Sequence, residues 1–155
     1  GGGIIADGRL LLGHRGLSGE IGHTTLRANG PRCNCGRRGC SEALASGTAL
    51  RHLIGEAGLP ADTTVEALLD RPSTDLVAAR ILERWGGAWR AAIDTVVAVL
   101  DPELVLIGGG LGRAAVATLE STHPTTSAWF ERPVLPARLG DDAGVIGAGL
   151  LALTR

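Results

Sequence analysis

Four side chains that bind soft metals fall close together: His23, then Cys33, Cys35 and Cys40 in Cys33-Asn34-Cys35-Gly36-Arg37-Arg38-Gly39-Cys40. The chain has 3 cysteines and all of them lie here. Three thiolates and one imidazole make a tetrahedral set of the kind that holds structural zinc, and four good ligands leave no open position for a catalytic water. No Cys-x-x-Cys pair is present, which argues against redox chemistry. The plainer reading is chance clustering of small residues, but the intervening glycines would let the backbone wrap an ion. Two carboxylates flank the set, Glu20 in Gly19-Glu20-Ile21-Gly22-His23 and Glu42 in Cys40-Ser41-Glu42. A metal that draws Cys40 to His23 also draws Glu42 toward Glu20. Two carboxylates and an imidazole on one polar pocket suit recognition of sugar hydroxyls, because a carboxylate accepts strong hydrogen bonds from them. Glu42 has a simpler role open to it as an acid stabilised at a helix N-terminus.

These residues need a scaffold, and 155 residues at 45% hydrophobic and 20% charged can build one globular domain with a real core. The formal charge of -1 argues against direct nucleic-acid contact. Three cysteines without a secretory signal read as cytoplasmic thiols or metal ligands rather than a disulfide framework. No apolar run approaches the roughly 20 residues of a membrane span. All 15 basic residues are arginine, which excludes Schiff-base chemistry and a Walker-type phosphate lysine from these residues. The chain has no methionine and opens on Gly1-Gly2-Gly3 before an apolar Ile4-Ile5-Ala6, so it reads as the middle of a longer protein.

The pattern predicts a short buried strand over 1–6, a hairpin turn at Asp7-Gly8 and a return strand over 9–12. Residues 13–41 are rich in Gly, Pro and Cys and have little periodicity; a loop of that length needs a function or a staple. Ser41 reads as the N-cap of one helix over 42–57, closed by Gly58 and Pro60. A short helix follows at 64–70 and a long one at 75–100, stopped by Asp101-Pro102. The long helix presents Leu76, Ile81, Leu82, Trp85, Trp89, Ile93, Val96, Val97 and Leu100 at helical spacing, and its Gly86-Gly87 marks a close packing contact or a weak point. Leu104-Val105-Leu106-Ile107 reads as a central strand covered on both faces. A helix over 112–122, a strand over 133–139 and a small-residue helix over 144–153 complete an α/β order.

Gly108-Gly109-Gly110 follows the central strand at its carboxyl end, where open α/β sheets bind ligands. Glycines let a backbone approach a phosphate or nucleoside closely, although an ordinary tight turn is the commoner use of such a triplet.

Taken together, the sequence resembles the ROK family of repressors, open reading frames and sugar kinases. The resemblance covers essentially the whole chain and is most specific in Gly19-Glu20-Ile21-Gly22-His23 followed by Cys33-x-Cys35-Gly36-x-x-Gly39-Cys40-x-Glu42. Ala45-Ser46-Gly47, the run from Asp101-Pro102 to Gly110, and the segment from Leu139 to Ala148 resemble further family segments. The resemblance implies an actin-like, ribonuclease-H-like ATPase lobe: residues 1–155 would be the C-terminal lobe of a two-lobed protein, with a zinc-binding loop at 19–42. It implies that Glu20, His23 and Glu42 contact sugar hydroxyls, while His23, Cys33, Cys35 and Cys40 hold structural zinc. It further implies that Gly108, Gly109 and Gly110 lie against the adenosine of ATP, used with Mg2+, and that Gly1 and Gly2 are the tail of a phosphate-binding turn. A homodimer is the family expectation.

Two departures stand out. The family's catalytic aspartate belongs to the N-terminal lobe and has no counterpart in this chain, so these residues alone should not phosphorylate a sugar. Ser41 stands where the family carries an apolar residue, commonly leucine, which predicts a modest packing change. The resemblance leaves two main functions, an ATP-dependent kinase for a hexose or N-acetylhexosamine, nearest to the glucokinase and N-acetylmannosamine kinase types, or a sugar-sensing transcriptional regulator whose DNA-binding domain lies elsewhere, with an orphan sugar-binding module as the remaining alternative.

Overall fold

The computed structural model describes residues 1–153. It begins with an antiparallel hairpin, β1 (Ile5–Ala6) and β2 (Arg9–Leu10), with Ile5 opposite Leu10. Asp7 and Gly8 form its turn with φ of 50° and 71°, the left-handed pair that matches strand twist in a two-residue hairpin. The strand expected to be buried over 1–6 is not: Ile5 is 68% exposed and Ala6 is exposed too.

The helices carry the core. One helix was expected over 42–57, but the chain forms two, α1 (Ser41–Ala45) and α2 (Gly47–Glu56). The break lies at Ser46, whose extended backbone interrupts the helix and whose hydroxyl accepts from the Ala49 N–H to cap α2. Ser41 is consequently the first residue of α1 rather than its cap; Cys40 takes the cap position without a side-chain bond. The buried α1 position that Ser41 occupies is reached by its own N–H donating to the Thr24 carbonyl at 2.8 Å.

Thr64 caps α3 (Val65–Leu69), and Asp75 caps α4 (Leu76–Leu100) by accepting from the Val77 and Ala78 N–H groups, each at 3.0 Å. The backbone N–H of Ala78, and then the guanidinium of Arg71, hold the Asp75 carboxyl below the usual carboxylate range. At its far end α4 stops on Asp101, in the left-handed region at φ 43° and ion-paired with Arg132. The apolar stripe of α4 packs Ile81, Leu82, Trp85, Ile93 and Val97 against Leu50, Leu53 and Ile54 of α2, Val65 and Leu68 of α3, and α5 (Gly112–Thr122). Gly86 is a close-packing contact: a Cβ there would come within 2.6 Å of Thr122 Oγ1 and 3.0 Å of Thr118 Cγ2 on α5.

A parallel pair, β3 (Val105–Ile107) and β4 (Val134–Pro136), lies beside α5, with Leu106 opposite Leu135. Ile107 is buried, but Leu106 is 58% exposed, so the expectation of a strand covered on both faces fails among the described residues. Among the described residues, the packed layer lies on the α5 side. A last helix, α6 (Ala143–Leu153), exposes Val145, Leu150, Leu151 and Leu153.

Candidate functional site

The long segment between the hairpin and α1 is shaped first by its backbone. Thr25 bridges Cys40 and Arg32 bridges Arg38, both antiparallel. Gly39 accepts from Leu26 and Arg27 and donates to Pro31 at 2.8 Å. Gly39 has φ of 69°, and a Cβ there would fall 1.5 Å from the Arg27 carbonyl oxygen, so no other residue fits this crossing. These bonds lay the ends of the loop side by side, His23 and Thr24 next to Cys40 and Ser41.

Within that frame the donor atoms of His23, Cys33, Cys35 and Cys40 all lie within 4.8 Å of one another. Cys35 Sγ is 3.7 Å from Cys40 Sγ, and Cys33 Sγ is 3.6 Å from His23 Nδ1. Metal–sulfur bonds of about 2.3 Å at tetrahedral angles put sulfurs about 3.8 Å apart, so these residues fit a zinc-sized soft cation. The environments of the sulfurs differ. Cys33 and Cys40 are buried and Cys35 is exposed. Burial pushes the Cys40 thiol up to about 11, whereas the Arg37 backbone N–H beside Cys35 holds that thiol below its ordinary value.

The other face of the His23 ring looks away from the sulfurs. Its Nε2 is 3.9 Å from Glu20 Oε2 and 4.0 Å from Glu42 Oε2. Glu20 directly precedes the short turn Ile21–His23, and Glu42 sits in the first turn of α1. Gly22 lies against Glu42: a Cβ on it would sit in ordinary contact, 3.5 Å from both Cβ and Oε2 of Glu42. Separations near 4 Å are too long for direct hydrogen bonds and leave room for a bridging oxygen. Both carboxylates stay about half exposed, so the group opens to solvent.

The remaining sequence candidates fall into two places. Gly2 crosses the loop beside Glu20: its Cβ would meet the Gly19 carbonyl oxygen at 2.5 Å, and Gly19 has φ of 94°. Gly1 is exposed with open space around it. Gly108, Gly109 and Gly110 form the turn from β3 to α5, with Gly109 at φ 76° and the Gly110 Cβ position 3.2 Å from Asp141 Oδ1. The His/Cys group and the carboxylates thus come together, while the glycine triplet forms a separate backbone-lined turn.

Three contacts escaped sequence reasoning. Arg37 donates to the His23 carbonyl at 3.2 Å and to Thr25 Oγ1 at 2.6 Å, bracing the histidine from behind. Asp141 faces the glycine turn. Trp85 donates its indole N–H to the Ala45 carbonyl at 2.9 Å and the Ser46 carbonyl at 3.3 Å. Nothing local marks any of them, because each acts on a partner far away in sequence.

Residues 1–155 match the profile of the ROK family over their whole length. The chain belongs to the ROK family. Among curated ROK relatives, it is 33% identical to a glucokinase of Thermotoga maritima over 100% of this chain and 55% of that protein. It is 37% identical to an N-acetylmannosamine kinase of Yersinia pestis over 99% of this chain and 53% of that protein. The chain thus spans about half the length of the curated relatives it matches. A ROK family glucokinase from Streptomyces griseus in complex with glucose and AMPPNP superposes with a TM-score of 0.76 at 26% identity, over 96% of this chain and 55% of that one. A ROK family transcriptional regulator, a homolog of the E. coli MLC protein, superposes with a TM-score of 0.71 at 30% identity, over 96% of this chain and 42% of that one.

Proposed function

We propose that these residues are the sugar- and nucleotide-binding C-terminal lobe, of actin-like ATPase type, of an ATP-dependent kinase for a hexose or N-acetylhexosamine. One observation carries the reading: the two nitrogens of His23 face different chemistry, Nδ1 the thiols and Nε2 the two carboxylates. A zinc held by His23 Nδ1, Cys33, Cys35 and Cys40 would be structural, fixing the tautomer and plane of the ring. The Nε2–H then points into the group as a donor, and Glu20 and Glu42 accept. A sugar hydroxyl seated among them has both donor and acceptor partners, and the free carboxylate capacity takes its neighbours.

The chemical step is phosphoryl transfer from ATP with Mg2+ to a sugar hydroxyl, for which positioning and charge neutralisation supply most of the rate. The residues here contribute positioning: Glu20, His23 and Glu42 orient the sugar, Gly108–Gly110 present backbone to the adenosine side, and Gly1 and Gly2 continue a phosphate turn. The base that takes the hydroxyl proton would be an aspartate of an N-terminal lobe. The glucokinase and N-acetylmannosamine kinase relatives support this reading. The regulator's likeness to this chain supports a second one, a sugar-sensing repressor with the same pocket and no base.

The test uses the full-length protein that carries these residues. Sugar-dependent formation of ADP supports the kinase; saturable sugar binding without ADP formation supports the regulator. Glu42→Gln should weaken sugar binding by about tenfold, the scale of one charge-assisted hydrogen bond, with about one zinc retained per chain. Undiminished sugar affinity would return Glu42 to a helix N-terminal role, and metal analysis finding no zinc in the wild type would remove the metal.

A further inference from the structure

Trp85 sits at the middle of α4, is 0% exposed, and sends its only polar atom to the joint between α1 and α2. That joint is a weak place in the chain. The Ala45 carbonyl ends a five-residue helix and has no place in a helical ladder. Ser46 turns the backbone with ψ of 168° before α2 restarts. Without a donor at this depth the carbonyl would be buried unpaired, which favours either a continuous helix or a loosened one.

The joint stands between Glu42 and a residue packed beside the glycine turn. Glu42 lies one turn before it, and the direction of α1 aims the Glu42 carboxylate at His23. Directly after it, Gly47 packs on the residue that follows the glycine triplet: a Cβ on Gly47 would come 2.9 Å from Leu111 Cδ1. The angle between α1 and α2 therefore sets how the carboxylate pocket stands relative to the Gly108–Gly110 turn.

We infer that Trp85 is a positioning residue for sugar recognition, its indole N–H locking the α1–α2 joint so that Glu42 meets the substrate. The inference rests on the sugar-pocket reading above. The indole N–H of Trp85 bonds to the joint and not to Glu20, His23 or Glu42, so its effect passes through the joint to Glu42.

A double-mutant cycle tests it, read by sugar binding in full-length protein: wild type, Trp85→Phe, Glu42→Gln and the double variant. Phenylalanine keeps the aromatic packing and removes the donor. Trp85→Phe should raise the sugar Kd about fivefold to tenfold at unchanged zinc content, and in the Glu42→Gln background it should add less than twofold. Equal affinity of Trp85→Phe and wild type, or full additivity in the double variant, overturns the inference. A wild type that binds no sugar instead overturns the pocket reading. If Trp85→Phe does not fold, the indole N–H resonances of the wild type answer the question: sugar should shift that of Trp85 and leave that of the exposed Trp129 in place. A stationary Trp85 resonance at saturating sugar overturns the inference.

Discussion

The loop over 19–42 and the helical core beneath it are held by different physics. The core is built from apolar burial around α4, where Trp85, Ile54, Leu68 and Val65 are nearly inaccessible. The loop buries little besides two cysteines and a few glycines. It is held by carbonyl-to-amide bonds across two bridges, with the His/Cys group gathered between them. In the core a side chain can be trimmed at a graded cost. In the loop, a position such as Gly39 is all-or-none because backbone lies on backbone there.

The largest separation of the two regions should come from Gly39→Ala. With a Cβ placed 1.5 Å from the Arg27 carbonyl, the crossing cannot form, and zinc content should fall from about one per chain toward none. Far-UV circular dichroism should stay that of the wild type, since no helix depends on the crossing; a loss of helix would erase the distinction between the regions. Leu68→Ala is the reverse case. It should cost about 2–5 kcal/mol in denaturant unfolding through cavity formation while leaving zinc content unchanged. Gly36→Ala sharpens the loop side: φ is 89° but nothing lies near its Cβ, so only backbone strain of about 1–2 kcal/mol is expected and the metal stays.

The smallest effect is electrostatic and belongs to the core. The Asp75 carboxyl is held below its unfolded value, so its cap stabilises α4 at pH above about 4. That stabilisation fades as pH falls through the lower folded value. Asp75→Asn should flatten the acid side of a thermal-midpoint profile between about pH 2 and 5. It should leave the profile of zinc release unmoved; a common shift in both would mean that the loop and the core titrate together.

Local signals in the sequence located most elements. Asp7-Gly8, Asp75 and Asp101-Pro102 act on their immediate neighbours, and the hairpin turn and both ends of α4 fall where they point. The grouping of His23 with the three cysteines was legible because donor chemistry and glycine spacing travel together in the chain. Three features were not legible, each for a long-range reason. The break at Ser46 depends on a donor supplied from Trp85. Periodicity placed that residue in the core stripe but could not tell what its N–H would meet. The exposure of Leu106 depends on which strands stand beside β3, and an apolar run carries no record of that. The hairpin strand read as buried from its isoleucines, but burial requires a partner layer, and among the described residues none covers it. The loop's own closure was credited to the metal by sequence reasoning, whereas the bonds of Leu26, Gly39 and Ser41 do much of it.

That last pairing bears on what the four donors have to do. Thr24 and Thr25 lie against Cys40 and Ser41 through main-chain bonds, so the ends of the loop meet without relying on a side chain. A bound ion would then have local work, locking the His23 ring against the segment 33–40, rather than closing the loop. Losing one sulfur would blunt that lock and leave the crossing standing, and Cys35 is the sulfur that solvent reaches.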